Sequence, residues 1–183
     1  MSHKYKFRNP DGIYFITFSV VGWVDVFTRD IYRNIVIDSF NWCIKNKGLV
    51  VNAWVIMTNH IHMIVSKKGE QPLEAIMRDM KKFTSVKTIE EIKTNPVESR
   101  KDWMLRVFRE AGESNPQNTK YQFWQHGNHP IELDNHKITE QKLEYIHNNP
   151  VEHGFSNEKE CYNWSSAMDY AGVKGLVEIE LLW

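Results

Sequence analysis

Two histidines separated by one residue, His60 and His62, are the densest chemical feature of this 183-residue sequence. They open the run HIHMIVS, which reads as a β-strand, and residues two apart on a strand project from the same face. Two imidazoles side by side can supply two ligands to a divalent ion; the plain alternative is a histidine pair at a sheet edge. Ile61, Met63 and Val65 on the opposite face set the register, and no third ligand lies nearby in sequence. Tyr145 and Asn149, in KLEYIHNNP, are the second feature. Four residues apart, they can share a helix face, although Pro150 biases Asn149 out of helical geometry. A tyrosine can act as a covalent nucleophile and an asparagine oxygen can bind a hard metal, yet most of the seven tyrosines must pack. Arg78, Lys81 and Lys82, at i, i+3 and i+4, form a stripe continued by Lys87 around Phe83. Such a stripe is either a solvated helix face or a set of phosphate contacts. His126 and His129 flank Gly127-Asn128 and read as a polar turn, while His147 and His153 belong to no constellation of their own.

The elements that must hold these residues follow from patterning. Residues 13–22 are β-branched and aromatic with strand alternation. Ile31, Ile35, Phe40 and Ile44 recur at helical spacing before an Asn46-Lys47-Gly48 stop. Residues 49–57 and 60–66 form two strands joined by Thr58-Asn59, an antiparallel hairpin. Pro72 opens a helix with Leu73, Ile76, Met77, Met80 and Phe83 on one side. Residues 88–120 read as a divided helical region with a loop, and residues 123–133 as a strand interrupted at Gly127-Asn128. Residues 139–148 form a short helix with Thr139 as N-cap, stopped by Pro150. The order β-α-β-β-α-β predicts an α+β fold: a ferredoxin-like split βαβ, with a four-stranded antiparallel sheet and helices on one face.

Composition bounds the rest. One domain over residues 1–183 suits the length, and 42% hydrophobic residues can bury a core. No apolar run is long enough to span a membrane, and residues 1–15 lack a signal-peptide core. Cys43 and Cys161 form no disulfide framework, so a cytoplasmic setting is expected. The 23 basic and 23 acidic residues cancel, which argues against coating nucleic acid through overall charge. The cancellation is uneven. Residues 67–110 hold 11 Lys and Arg against 8 Asp and Glu, and residues 132–160 hold 3 against 7.

Three segments together resemble a known family. AWVIMTNHIHMIV is similar to the strand-turn-strand that carries the HUH motif (His, bulky apolar residue, His). YIHNNPVEHGF resembles the tyrosine helix of REP-associated tyrosine transposases, relatives of the single-tyrosine transposases of small insertion sequences. MRDMKKFTS and QFWQHGNHPIEL also resemble segments of that family, and the likeness runs from about Tyr14 to about Trp164. The resemblance implies the same ferredoxin-like fold and a Mg²⁺- or Mn²⁺-dependent endonuclease and strand transferase of single-stranded DNA with hairpins. It implies His60, His62 and Asn149 as metal ligands and Tyr145 as the nucleophile that forms a 5′-phosphotyrosyl intermediate. Arg78, Lys81, Lys82 and Lys87 are the expected DNA contacts, and a monomer is favoured over a homodimer with the tyrosine acting in trans. Two features depart from the family: residues 88–120 are long and polar, and Glu152 stands where relatives have a basic residue. Two other functions fit the same residues. One is a domesticated module that binds DNA hairpins without cutting them; the other is a metal-dependent hydrolase of small phosphoesters built on the histidines alone.

Overall fold

A strand that is apolar on both faces must be covered on both sides. β1 (Tyr14–Ser19) and β3 (His60–Lys67) are buried over most of their length, and β2 (Leu49–Ile56) is buried at every position. In the computed structural model, which describes residues 7–114, 120–127 and 129–183, these strands and the short β4 (Ile131–Glu132) form one sheet in the order β2-β3-β1-β4. Every neighbouring pair is antiparallel. With α1 (Asp30–Lys47) between β1 and β2 and α2 (Leu73–Thr94) after β3, the chain follows the expected α+β order. Among the described residues no helix is long and apolar enough to cross a membrane.

The sheet separates two apolar clusters. On one face, Ile16, Phe18, Trp54 and Met63 pack against Tyr32 and Phe40 of α1 and Ile76 and Met80 of α2. On the other, Phe15, Ala53, Val55 and Ile64 pack against Leu143 and Ile146 of α4 (His136–Glu152) and against Tyr162. The expectation of helices on a single face is therefore corrected: α4 covers the second face, because the strands are apolar on that side too. A bulge lets β2 serve both layers. Val51 pairs with Val65 and Ala53 with Ile64, leaving Asn52 outside the ladder, so the inward set shifts from Leu49 and Val51 to Trp54 and Ile56. The C-terminal segment covers this irregular edge, with Glu180 N–H donating to Val51 O (2.9 Å) and Asn52 Nδ2 donating to Glu180 O (2.8 Å).

Several element ends differ from the patterned expectation. α1 stops at Gly48 as expected, where φ is 70° and a Cβ would lie 2.0 Å from Lys68 O. Its buried stripe is rotated to Tyr32, Val36, Phe40 and Cys43, leaving Ile31 40% exposed. α4 begins a turn earlier than Thr139, capped by Asn135, whose side chain accepts from Ile138 N–H (3.0 Å). It also runs through Pro150. Burial of Ile146, His147, Asn149 and Pro150 holds the last turn helical, and one missing amide there is tolerated.

α2 continues into the expected helical region, and α3 (Lys101–Glu113) follows a connection pinned by Glu98. That carboxylate accepts from Arg29 and Arg100, 3.0 Å each, and from the Tyr32 hydroxyl. Residues 115–119, in the expected loop, and Asn128, in the expected turn, lie outside the described residues. The strand expected over residues 123–133 reduces to Ile131–Glu132 and an isolated bridge of Trp124 with Val20. Gly127 and His129 have positive φ, and Pro130 has no N–H to give a ladder.

Candidate active site

The hairpin and β1 together set the histidines. Antiparallel register places Thr17 opposite His62 and Ser19 opposite His60, on the sheet face under α4. The two imidazole centroids are 4.7 Å apart. Each Nδ1 is engaged: His62 Nδ1 lies 2.8 Å from Thr17 Oγ1, and His60 Nδ1 lies 2.8 Å from Asn59 Oδ1. Asn59 is itself oriented, because its Nδ2 donates to Asp25 Oδ1 (2.9 Å) and Trp23 O (3.3 Å). Its oxygen therefore faces His60, so the His60 proton sits on Nδ1 and Nε2 keeps a lone pair. This is the orientation that partners behind a metal-binding histidine impose.

Both rings are held neutral. Burial lowers the His60 pKa from 6.5 to about 4, helped by the nearby His153. Burial lowers that of His62 to about 3, helped by His60, Lys142 and His153. Neutral imidazoles are the form that binds a cation.

α4 brings the tyrosine to the same place. Tyr145 Oη is 3.3 Å from His62 Nε2, although the two residues are 83 apart in sequence. Its ring lies edge-on to His62 (5.0 Å) and Phe15 (6.0 Å) and is 40% exposed. Lys142, one turn earlier, carries its Nζ 4.7 Å over Phe15 and 5.6 Å from the Tyr145 ring. One turn later, Asn149 is fully buried, and neither Oδ1 nor Nδ2 has a hydrogen-bond partner. A buried amide left in that state costs stability unless something binds it. Because α4 stays helical through Pro150, Asn149 keeps the face it shares with Tyr145.

The basic stripe is elsewhere. α2 packs on the opposite face of the sheet, so Arg78, Lys81, Lys82 and Lys87 do not meet the histidines. Arg78 pairs with Asp79 (3.1 Å) and Lys87 with Glu90 (3.0 Å), while Lys82 is exposed. Lys81 turns inward. Its Nζ donates to Gln125 O (3.1 Å) and Gly127 O (3.2 Å) and lies 5.2 Å over Phe18, and burial lowers its pKa to about 8.

Thr17, Asn59, Lys142 and His153 join the site without having been singled out by spacing. His153 Nδ1 lies 2.9 Å from Asn149 O, and its charge acts on both His60 and His62. Its interval of four from Asn149 and eight from Tyr145 was the available signal; Thr17 carried none, because its role depends on pairing with a distant strand. Among the described residues no three His, Cys, Asp or Glu side chains form a metal-binding group.

No protein-family model matches the sequence, and no curated protein matches it. Among solved structures, the chain is similar to a REP-associated tyrosine transposase bound to a REP hairpin, with a TM-score of 0.63 and 17% identity. The match covers 100% of this chain and 94% of that one. At this identity the likeness is one of fold.

Proposed function

We propose that this chain is a divalent-metal-dependent endonuclease and strand transferase of single-stranded DNA, with Tyr145 as nucleophile. The observation that carries the reading is the contact of Tyr145 Oη with His62 Nε2. Such an enzyme needs its ligand histidines and its nucleophile at one spot, and distant segments of this chain meet there. The fold shared with a transposase solved on a DNA hairpin supports the same substrate class. The donor set fits Mg²⁺ or Mn²⁺: two neutral imidazoles, plus a buried amide oxygen that has no partner. His60, His62 and Asn149 would hold the ion, which when bound polarises the scissile phosphate as a Lewis acid.

His62 has one Nε2 lone pair and can serve one partner at a time. With its proton on Nδ1, His62 would accept from Tyr145 through Nε2 in the free protein; engaged as a ligand, it would release the phenol. The Tyr145 oxygen then bonds to phosphorus as the P–O3′ bond breaks. The phenolic proton is lost and the departing 3′ oxygen gains one, giving a 5′-phosphotyrosyl link and a free 3′-OH. Attack by another 3′-OH on the same phosphorus restores a phosphodiester and frees Tyr145. Lys142 contributes a cation on the same surface, where a phosphate would lie.

The test is a covalent adduct. Single-stranded oligonucleotides containing a stem-loop and labelled on the 3′ side are incubated with the protein and Mn²⁺ or Mg²⁺, then run on denaturing gels. The wild type should form an adduct, and Tyr145→Phe should lose it by at least about a thousandfold, the scale of a lost nucleophile. An adduct that persists in Tyr145→Phe rejects this nucleophile. Stem-loop binding with no adduct under either ion rejects the enzyme and leaves a hairpin-binding module.

A further inference from the structure

Trp23 is one of two non-glycine residues with positive φ among the described residues. Its φ is +54°, the left-handed region that bulky side chains avoid, and it follows Gly22 at +64°. Strain of this kind persists only where the surroundings impose it. Here they do so densely. Val20 N–H donates to Asn59 O (2.8 Å), Val21 N–H to Phe123 O (2.8 Å) and Phe27 N–H to Thr58 O (2.8 Å), while Val20, Val24, Val26 and Phe27 are buried. Arg100 donates to Asp25 O (2.8 Å), and Trp23 O accepts from Asn59 Nδ2. A Cβ at Gly22 would come within 3.1 Å of Val107 Cγ1, so α3 closes the outer side of the loop.

The strain is not offset by burying the indole. Trp23 is 58% exposed, and its ring centroid lies 6.3 Å from that of His60, edge to face. The amide that orients His60, that of Asn59, also holds the Trp23 carbonyl. The backbone that carries this exposed aromatic ring is thus held beside a proposed metal ligand by the same hydrogen-bond network, with the ring edge-to-face against His60.

We infer that Trp23 is a stacking platform for an unpaired nucleobase flanking the phosphate bound at His60 and His62, a proposal that rests on the function proposed above. Every base offers a π-face, so one aromatic ring grips single-stranded DNA whatever its sequence. At 6.3 Å from the imidazole, a base on Trp23 and a phosphate at His60 belong to the same or adjoining nucleotides. The platform would therefore set which phosphodiester is presented to Tyr145.

The test is a binding cycle on the full chain in EDTA, which separates binding from cleavage. The probe is a fluorescein-labelled stem-loop oligonucleotide with an unpaired thymine tract on its 5′ side or, in a second probe, its 3′ side; each is also made with the tract abasic. Anisotropy should show Trp23→Ala weakening binding to one thymine-tract probe by roughly tenfold. Trp23→Phe should keep most of the affinity. Removing the bases should cost the wild type by a similar factor and cost Trp23→Ala much less. Trp23→Gly should lose the same affinity while its melting temperature holds or rises, an outcome that a packing role does not produce.

Equal affinities of wild type and Trp23→Ala for both tracts overturn the platform, whatever the adduct assay gives. An equal loss on base-bearing and abasic tracts overturns it as well. A wild type that binds neither stem-loop overturns both this inference and the function beneath it. Coupling without any adduct keeps the platform and rejects cleavage.

Discussion

The face of the sheet under α1 and α2 presents apolar side chains in close aromatic packing, such as Phe40 against Trp54 at 6.2 Å. The face under α4 is built from alternate residues of the same strands, yet it carries His60, His62, Thr17 and an exposed tyrosine beside its apolar patch. One layer is filled by apolar packing, although Trp54 Nε1 and Thr88 Oγ1 on that side also lack hydrogen-bond partners. The other keeps two imidazoles neutral by burial and leaves the amide of Asn149 without a partner. The second face thus buries two imidazoles and an unpartnered amide, polar groups whose cost a bound group would offset. The division is economical, because a strand's period of two allows both from one stretch of sequence.

The sharpest way to break this comparison is a pair of substitutions, one per face. Phe40→Ala, at a fully buried ring, should lower unfolding free energy by about 3–5 kcal/mol in chemical denaturation. Tyr145→Phe should shift stability by less than about 0.5 kcal/mol, since its hydroxyl is at a half-exposed edge. If Tyr145→Phe destabilises as much as Phe40→Ala, the second face is structural and the division fails.

Acid should act through the second face. His60, His62 and His147 have folded pKa values lowered to about 4, 3 and 4, against 6.5 for the ordinary imidazole. Above pH 6.5 both folded and unfolded states are neutral there, and the full contribution is present. Below it the unfolded chain binds protons that the folded chain refuses, so stability falls as pH drops from 6.5 toward 4 and on to 3. Metal-free protein should lose about 1–2 kcal/mol per histidine between pH 7 and pH 5. His62→Gln should flatten this slope. A slope that is unchanged in His62→Gln would show that the ring is not held neutral by burial.

The smallest effect should also be the most specific. Asn149→Leu replaces an unpartnered buried amide with an apolar group of similar volume, so metal-free protein should gain up to about 1 kcal/mol or hold level. The same variant should lose the rise in melting temperature that Mn²⁺ gives the wild type. A destabilised variant whose Mn²⁺ response is intact would mean that Asn149 is a packing residue.

The histidine pair was legible because it needs only a strand and its period. Tyr145 and Asn149 were legible as one helical face, and the order of strands and helices followed from hairpin and crossover lengths. Other features were not. Pro150 signals a helix stop locally, but burial of the surrounding turn overrides it. The basic stripe was correctly a helical stripe, yet nothing in its spacing says which side of the sheet α2 will cover, or that Lys81 will turn inward toward carbonyls more than forty residues away.

By itself, the sequence determined the chemistry available: two neighbouring imidazoles, a phenol with an amide one turn on, and elements of the right order to carry them. Tertiary structure alone decided that Tyr145 meets His62 on the face opposite the lysines, that Asn59 and Thr17 orient the rings, and that Trp23 stands strained and exposed beside them. The physical reason is range. Periodicity and capping act within a turn or a strand and are written in adjacent residues, whereas face, register and burial come from contacts between segments whose spacing along the chain carries no record of their meeting.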